Sequence, residues 1–194
     1  MARPLEFDKD KVLDKALDVF WNKGYEASSL QDLLKAMRIS KSSFYQSFSS
    51  KEELFKSCLS RYREQVVKDI MKGLSEAPSA YAFLEHLFFD IAEDYRKVAD
   101  KGCLMINTAG EFAQRHPGIA QLVKDSLSQT QTLFQHAIEL AQKQGDISGD
   151  KDPQAMAEFL LSNYVGIKTL AKAGVDKLAL KAMIDTIFKT LKTP

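Results

Sequence analysis

The chain has 194 residues, 45% of them hydrophobic and 27% charged, a balance that lets a soluble protein bury a real core. Its formal net charge is +1, so the molecule as a whole exerts no strong pull on a polyanion, and any nucleic-acid binding has to come from local placement of charge. The two cysteines, Cys58 and Cys103, lie far apart with no CxxC or Cys/His cluster, which argues against a disulfide framework or zinc site and fits a reducing, cytoplasmic setting. The segment from Met1 to Asp8 has no long apolar run of the kind a secretory signal needs, and no later stretch approaches the roughly 20 apolar residues that span a bilayer.

Apolar spacing is helical nearly throughout. Leu13, Ala16, Leu17 and Phe20 follow the i, i+3, i+4, i+7 pattern of one buried helix face, and Gly24 offers the left-handed residue that ends such a helix. Ser28 or Ser29 can cap the next helix, with Leu30, Leu33, Leu34 and Met37 as its face. Arg38 to Ser40 forms a short break, after which Ser40 can cap a very short helix from Lys41 to about Phe48. Ser50, with Glu53 three residues on, has the pattern of a reciprocal capping box at the start of a fourth helix. Longer amphipathic helices are then expected over 52–73, 81–99, 104–114, 119–144, 153–173 and 177–192. Pro117 and Pro153 suit first helical positions, and Asp152 is a good cap. No segment alternates with the period of a strand, so no sheet is expected.

Two short helices joined by a tight turn, the second anchored by a few aromatics, make a helix-turn-helix whose second helix can enter the major groove. Phe44 and Phe48, four residues apart, can anchor one face to Leu33, Met37 and Ile39. Lys41, Ser42, Ser43, Tyr45, Gln46 and Ser47 are then left on the other faces, as donors and acceptors suited to phosphates and base edges.

The run from Ala27 to Phe55, with Ser40-Lys41-Ser42-Ser43-Phe44-Tyr45 and later Lys51-Glu52-Glu53-Leu54, resembles the signature of the TetR family of transcriptional regulators over about residues 8 to 56. The resemblance implies an all-α fold of about nine helices: a helix-turn-helix DNA-binding domain over 1–51 and a larger ligand-binding and dimerisation domain over 52–194. It implies that Ser29, Lys41, Tyr45 and Lys51 face phosphates and that Gln31, Ser42, Ser43 and Gln46 lie nearest base edges. Gln46 stands where the family usually has His or an aromatic, which leaves the base it reads open. Arg3 is a further candidate for the DNA backbone, a disordered tail being the other reading.

In TetR-like proteins the last two helices pair with their symmetry mates, which implies a homodimer through Phe159, Tyr164, Met183, Ile184 and Ile187; the alternative is that both helices cap a monomer core. Aromatics between head and interface, Phe112 and Tyr164 among them, with His86, Asn107, Glu111, His116 or Asn163 as polar groups, are candidates for a pocket that takes a small-molecule inducer. The segment Gly102-Cys103-Leu104 resembles a stretch in one branch of the family where cysteine senses electrophiles or oxidants. A thiol in a first helical turn beside Lys101 permits that chemistry, while a small buried apolar role for Cys103 is the plainer reading.

The sequence has no Gly-rich phosphate loop, metal-ligand spacing, nucleophile elbow or paired carboxylates in a cleft motif, so neither an enzyme nor a cofactor is expected. The resemblance therefore implies a regulator, most simply a repressor, that binds palindromic double-stranded operator DNA and is released by an inducer, and no membrane partner is expected. A helical ligand-binding protein without DNA binding is the competing class.

Overall fold

Asp8 accepts hydrogen bonds from the backbone N–H groups of Asp10 and Lys11 and so caps α1 (Lys9–Lys23), whose face of Leu13, Ala16 and Phe20 is buried. The structure, a computed structural model, describes residues 8–112 and 116–192 apart from the side chain of Lys97; Arg3 and the end of the helix expected to reach Gln114 lie outside these residues. Gly24, at φ 81°, ends α1 with its N–H on the Phe20 carbonyl. Of the two serines that could cap α2 (Leu30–Met37), Ser29 does so, in a full capping box with Asp32. Ser28 is buried and donates its hydroxyl to the Gly24 carbonyl at 2.5 Å.

Arg38 closes α2 in the left-handed region at φ 55°, ψ 42°, and Ser40 caps α3 (Lys41–Phe48) through the Ser43 N–H. Ser49 follows at φ 59°, ψ −46°, with the Ser50 N–H bonded to the Phe48 carbonyl at 2.5 Å, a γ-turn that side-chain-bearing residues seldom adopt. In α4 (Lys51–Glu76), Ser50 accepts from the Glu53 N–H at 3.1 Å, but the Glu53 carboxylate turns to Lys56 at 2.9 Å, so only half of the expected capping box forms.

The helix expected over 81–99 is two, α5 (Ala80–Glu93) and α6 (Tyr95–Lys101), because Asp94 leaves helical geometry at ψ 29°. Then come α7 (Leu104–Phe112), α8 (Pro117–Gln144), α9 (Pro153–Lys172) and α10 (Lys177–Leu191). Pro117 and Pro153 both open helices, the second capped by Asp152. Ten helices and no strand occur among the described residues, and none of these helices is long and apolar enough to cross a membrane.

The chain packs as two compact units. The first joins Met1–Gln65 with Leu104–Lys124. Within it Arg61 of α4 clasps Asp14 of α1 with two nitrogens and meets Asp10 at 3.1 Å, pairs that hold the Asp14 carboxyl below its usual range. The second unit, Val66–Cys103 with Asp125–Pro194, is built on α5, α8, α9 and α10, with Phe88, Phe134, Leu160 and Ile184 fully enclosed. Its loops are held by side chains that take up unpaired backbone groups. Gln144 accepts from the Ala80 N–H at the start of α5, and Lys151 donates to the Thr190 and Leu191 carbonyls at the end of α10.

Candidate nucleic-acid interface

Two rings set the exposure of α3. Phe44 and Phe48 are buried, as are Leu33 and Met37 of α2, which fixes one face of α3 to the head. Lys41, Ser42, Tyr45 and Gln46 are exposed on its other faces; Tyr45 is 50% open, its ring set edge-on to Phe44 at 5.1 Å. No acidic residue stands in the first turn of α3, so the positive end of that helix, with Lys41 at its first position, meets solvent uncompensated. Gln31 and Ser29 are exposed at the start of α2, Ser29 with its hydroxyl 2.8 Å from Asp32.

Three expected positions are bound up differently. Ser43 is half-buried, its N–H 3.0 Å and its hydroxyl 2.9 Å from the Ser40 hydroxyl, so it serves the cap of its own helix. Ser47 points inward rather than outward; its hydroxyl is enclosed and finds no hydrogen-bond partner among the described residues. Lys51 is half-buried with its ammonium 4.2 Å from the centre of the Tyr25 ring. Burial lowers its pKa, against the opposing pull of Glu26 and Glu111.

The groove between α1 and α2, about 810 Å³, is lined by five cationic side chains, Lys15, Lys35 and Arg38 among them, against two acids, Asp18 and Asp32. Lys11 and Lys23 of this lining pair with Asp8 at 3.4 Å and Asp32 at 3.1 Å, so the excess of positive charge there rests on Lys15, Lys35 and Arg38 against Asp18.

Tyr25 is itself held from far along the chain. Its ring meets Phe55 at 5.0 Å and Phe112 at 4.9 Å, and Phe112 stacks on Phe55 at 5.5 Å. Glu111 accepts the backbone N–H groups of Tyr25 at 2.8 Å and Glu26 at 3.3 Å. His116 lies edge-on to Phe112 at 5.1 Å and 3.7 Å from the Glu52 carboxylate. Glu111, Phe112 and His116, expected among ligand contacts, are thus committed to the packing of the head. With Tyr25 and Glu111 86 positions apart in sequence, no local pattern signals the pairing.

Comparison with known proteins decides what this head belongs to. A family model described as bacterial regulatory proteins, tetR family, matches residues 12–58, and one described as tetracyclin repressor-like, C-terminal domain, matches residues 82–187. The chain belongs to the TetR family. Over 98% of its length it is 31% identical to the HTH-type transcriptional regulator YezE of Bacillus subtilis, all of which is covered. It is 31% identical to the HTH-type transcriptional repressor ComR of Escherichia coli over 97% of this chain and 90% of that one. A solved structure of the TetR-family regulator CifR, a cysteine mutant complexed with 26-base-pair double-strand operator DNA, matches with a TM-score of 0.79 at 29% identity, covering 96% of this chain and 98% of that one. The TetR family and these relatives are transcriptional regulators, not enzymes.

The remaining positions singled out in this TetR-family chain fall in several environments. Cys103, just before α7, is 8% exposed; Cys58 is buried, donates to the Leu13 carbonyl at 3.6 Å, and has its thiol pKa pushed well up by burial. Asn107 is half-buried on α7, and His86 is exposed beside Asp90 at 3.4 Å. Asn163 donates to the Phe159 carbonyl at 2.7 Å. Tyr164 packs against Phe88 at 5.4 Å and Phe134 at 5.7 Å, with the Lys168 ammonium 4.2 Å from its ring. Phe159, Met183 and Ile187 line an open groove of about 540 Å³ between α9 and α10, with Gly166 and Leu170. Ile184 is 0% exposed, enclosed by its own chain, and offers nothing to a partner surface.

Proposed function

We propose that this TetR-family protein is a cytoplasmic, ligand-responsive repressor that binds a palindromic operator as a homodimer and is released by a small-molecule inducer. The exposed edge of α3, with Lys41, Ser42, Tyr45 and Gln46 standing free of a helix anchored by buried Phe44 and Phe48, carries the DNA reading. CifR, similar over nearly the whole chain, is seen on double-stranded operator DNA, and ComR is named a repressor, which supports both the partner and the sign.

The homodimer is supported by the groove between α9 and α10, where Leu170 and Met183 remain exposed beside Phe159. Covering such a face is worth about 25 cal/mol per Å² of apolar surface. A second copy of the same face supplies the cover and the two-fold symmetry a palindrome requires. On this reading residues 1–51 do the reading of DNA and 52–194 the pairing and sensing. Cys103 and Tyr164 are the proposed inducer contacts. Because Cys103 is buried, capture of an electrophile there needs the start of α7 to open. Helix α4 runs from one compact unit into the other and is the proposed route by which the sensing end disturbs the roughly 34 to 36 Å spacing that two recognition helices need.

Fluorescence anisotropy on the DNA upstream of the protein's own gene tests this. Sequence-specific binding that weakens steeply with salt is expected, with Gln46→Ala altering preference at one symmetric pair of bases. Binding no tighter than to random DNA would sink the reading. An inducer must lose affinity in the presence of operator by the factor it costs the operator, and equal affinities would exclude it.

A further inference from the structure

We infer that Glu111 is a positioning residue for operator binding, holding from α7 the turn that launches the helix-turn-helix. The inference rests on the DNA-binding reading and adds to it a residue far outside the segment that meets DNA. Its carboxylate accepts two successive N–H groups, from Tyr25 and Glu26, in the turn between α1 and α2. A carboxylate aimed at backbone donors makes charge-assisted bonds, roughly twice as strong as neutral ones.

The turn is shaped to receive it. Gly24 sits at φ 81°, and a Cβ at that position would lie 2.6 Å from Glu111 Oε1, so the absent side chain is the space the carboxylate occupies. The next residue of α7, Phe112, braces the same turn through the Tyr25 ring at 4.9 Å. Two helix starts of the head touch this turn. Ser28 ties back to the Gly24 carbonyl at 2.5 Å, immediately before the Ser29 cap of α2. Lys51, the first residue of α4, rests on the Tyr25 ring. The turn at Gly24 and Tyr25 is thus in contact with both helix starts, and Glu111 holds its backbone.

The test compares the full-length wild type with Glu111→Ala and Glu111→Gln, by operator anisotropy and by amide hydrogen exchange resolved to single residues. Glu111→Gln keeps an oxygen that accepts both N–H groups. Glu111→Ala should weaken operator binding about tenfold, the scale of losing hydrogen bonds to a charged group. It should also speed exchange at Tyr25 and Glu26, leaving the helices of 125–192 protected as in wild type. Glu111→Gln should stay within about threefold of wild type, with those two amides still protected. Equal binding by Glu111→Ala and wild type overturns the inference alone. Accelerated exchange throughout the chain, or a glutamine variant as weak as the alanine one, overturns it in favour of a purely structural role. A wild type that binds no specific DNA overturns the DNA reading and this inference with it.

Discussion

The ammonium of Lys51 lies 4.2 Å from the centre of the Tyr25 ring, so a lysine expected to grip DNA is held by the head's own aromatic surface. Lys41, by contrast, is exposed at the first position of α3. Each phosphate contact contributes about 0.9 to the slope of log K against log salt. Lys41→Ala should weaken binding on every operator variant and make that slope shallower by roughly one per protomer. Lys51→Ala should cost affinity with little change of slope, because what it removes is a cation–ring contact of about 0.5–1 kcal/mol. An equal change of slope in both variants would show that Lys51 leaves Tyr25 for a phosphate.

Adjacent residues of α10 should separate pairing from folding. Met183 is 39% exposed on the groove between α9 and α10, whereas Ile184 is 0% exposed in the core. Met183→Glu should give folded monomers by sedimentation, with operator affinity lost through the lost pairing. Ile184→Glu should lower the melting temperature sharply, since an unpaired charge enters a packed interior. A folded Met183→Glu dimer would remove this groove as the interface.

Asp32 makes the cap of α2 sensitive to acid. Hydrogen bonds from Ser29, then from Lys23, lower its pKa from 3.8 to about 2. A depressed carboxyl contributes stability that is fully present above pH 3.8 and lost as pH falls through about 2. The carboxyl carbon shift of Asp32, followed by NMR, should titrate with a midpoint near 2, and Ser29→Ala should move that midpoint back toward 3.8. An unchanged midpoint in Ser29→Ala would show that the serine is not the principal cause.

Ser49 adopts φ 59°, ψ −46° between α3 and α4, a geometry that costs a residue with a side chain about 1–3 kcal/mol. Ser49→Gly should therefore stabilise the protein to urea, by about 1 kcal/mol after glycine's greater freedom in the unfolded chain is subtracted. A destabilised variant would mean that the serine side chain holds the turn in a way its backbone angles do not reveal.

The fold was legible where a signal is local. Ser40, Pro117, Pro153 and Asp152 mark helix starts within a few residues of the groups they cap, and the i, i+3, i+4 spacing of Leu13, Ala16 and Phe20 foretells the buried face of α1. The exposed positions of α3 followed from the same arithmetic, with Ser43 and Ser47 as the exceptions. A hydroxyl's periodicity does not say whether it bonds within its own helix or turns inward. Ile184 misled for a related reason: an amphipathic helix shows that a face is covered, and only packing shows whether its own chain or another covers it. Least legible was the tie from Glu111 to the head, because a side-chain bond to backbone N–H places no demand on the residue types at Tyr25 and Glu26.

Phe112 completes a cluster with Phe20, Tyr25 and Phe55, although the first three helices end well before it. The head is consequently not an interchangeable cartridge. Residues 1–51 grafted onto a foreign effector domain would bare the Tyr25 ring and leave two backbone N–H groups without their carboxylate. A working chimera would have to bring along α7 through Phe112, or an acidic and an aromatic residue placed to do the same work.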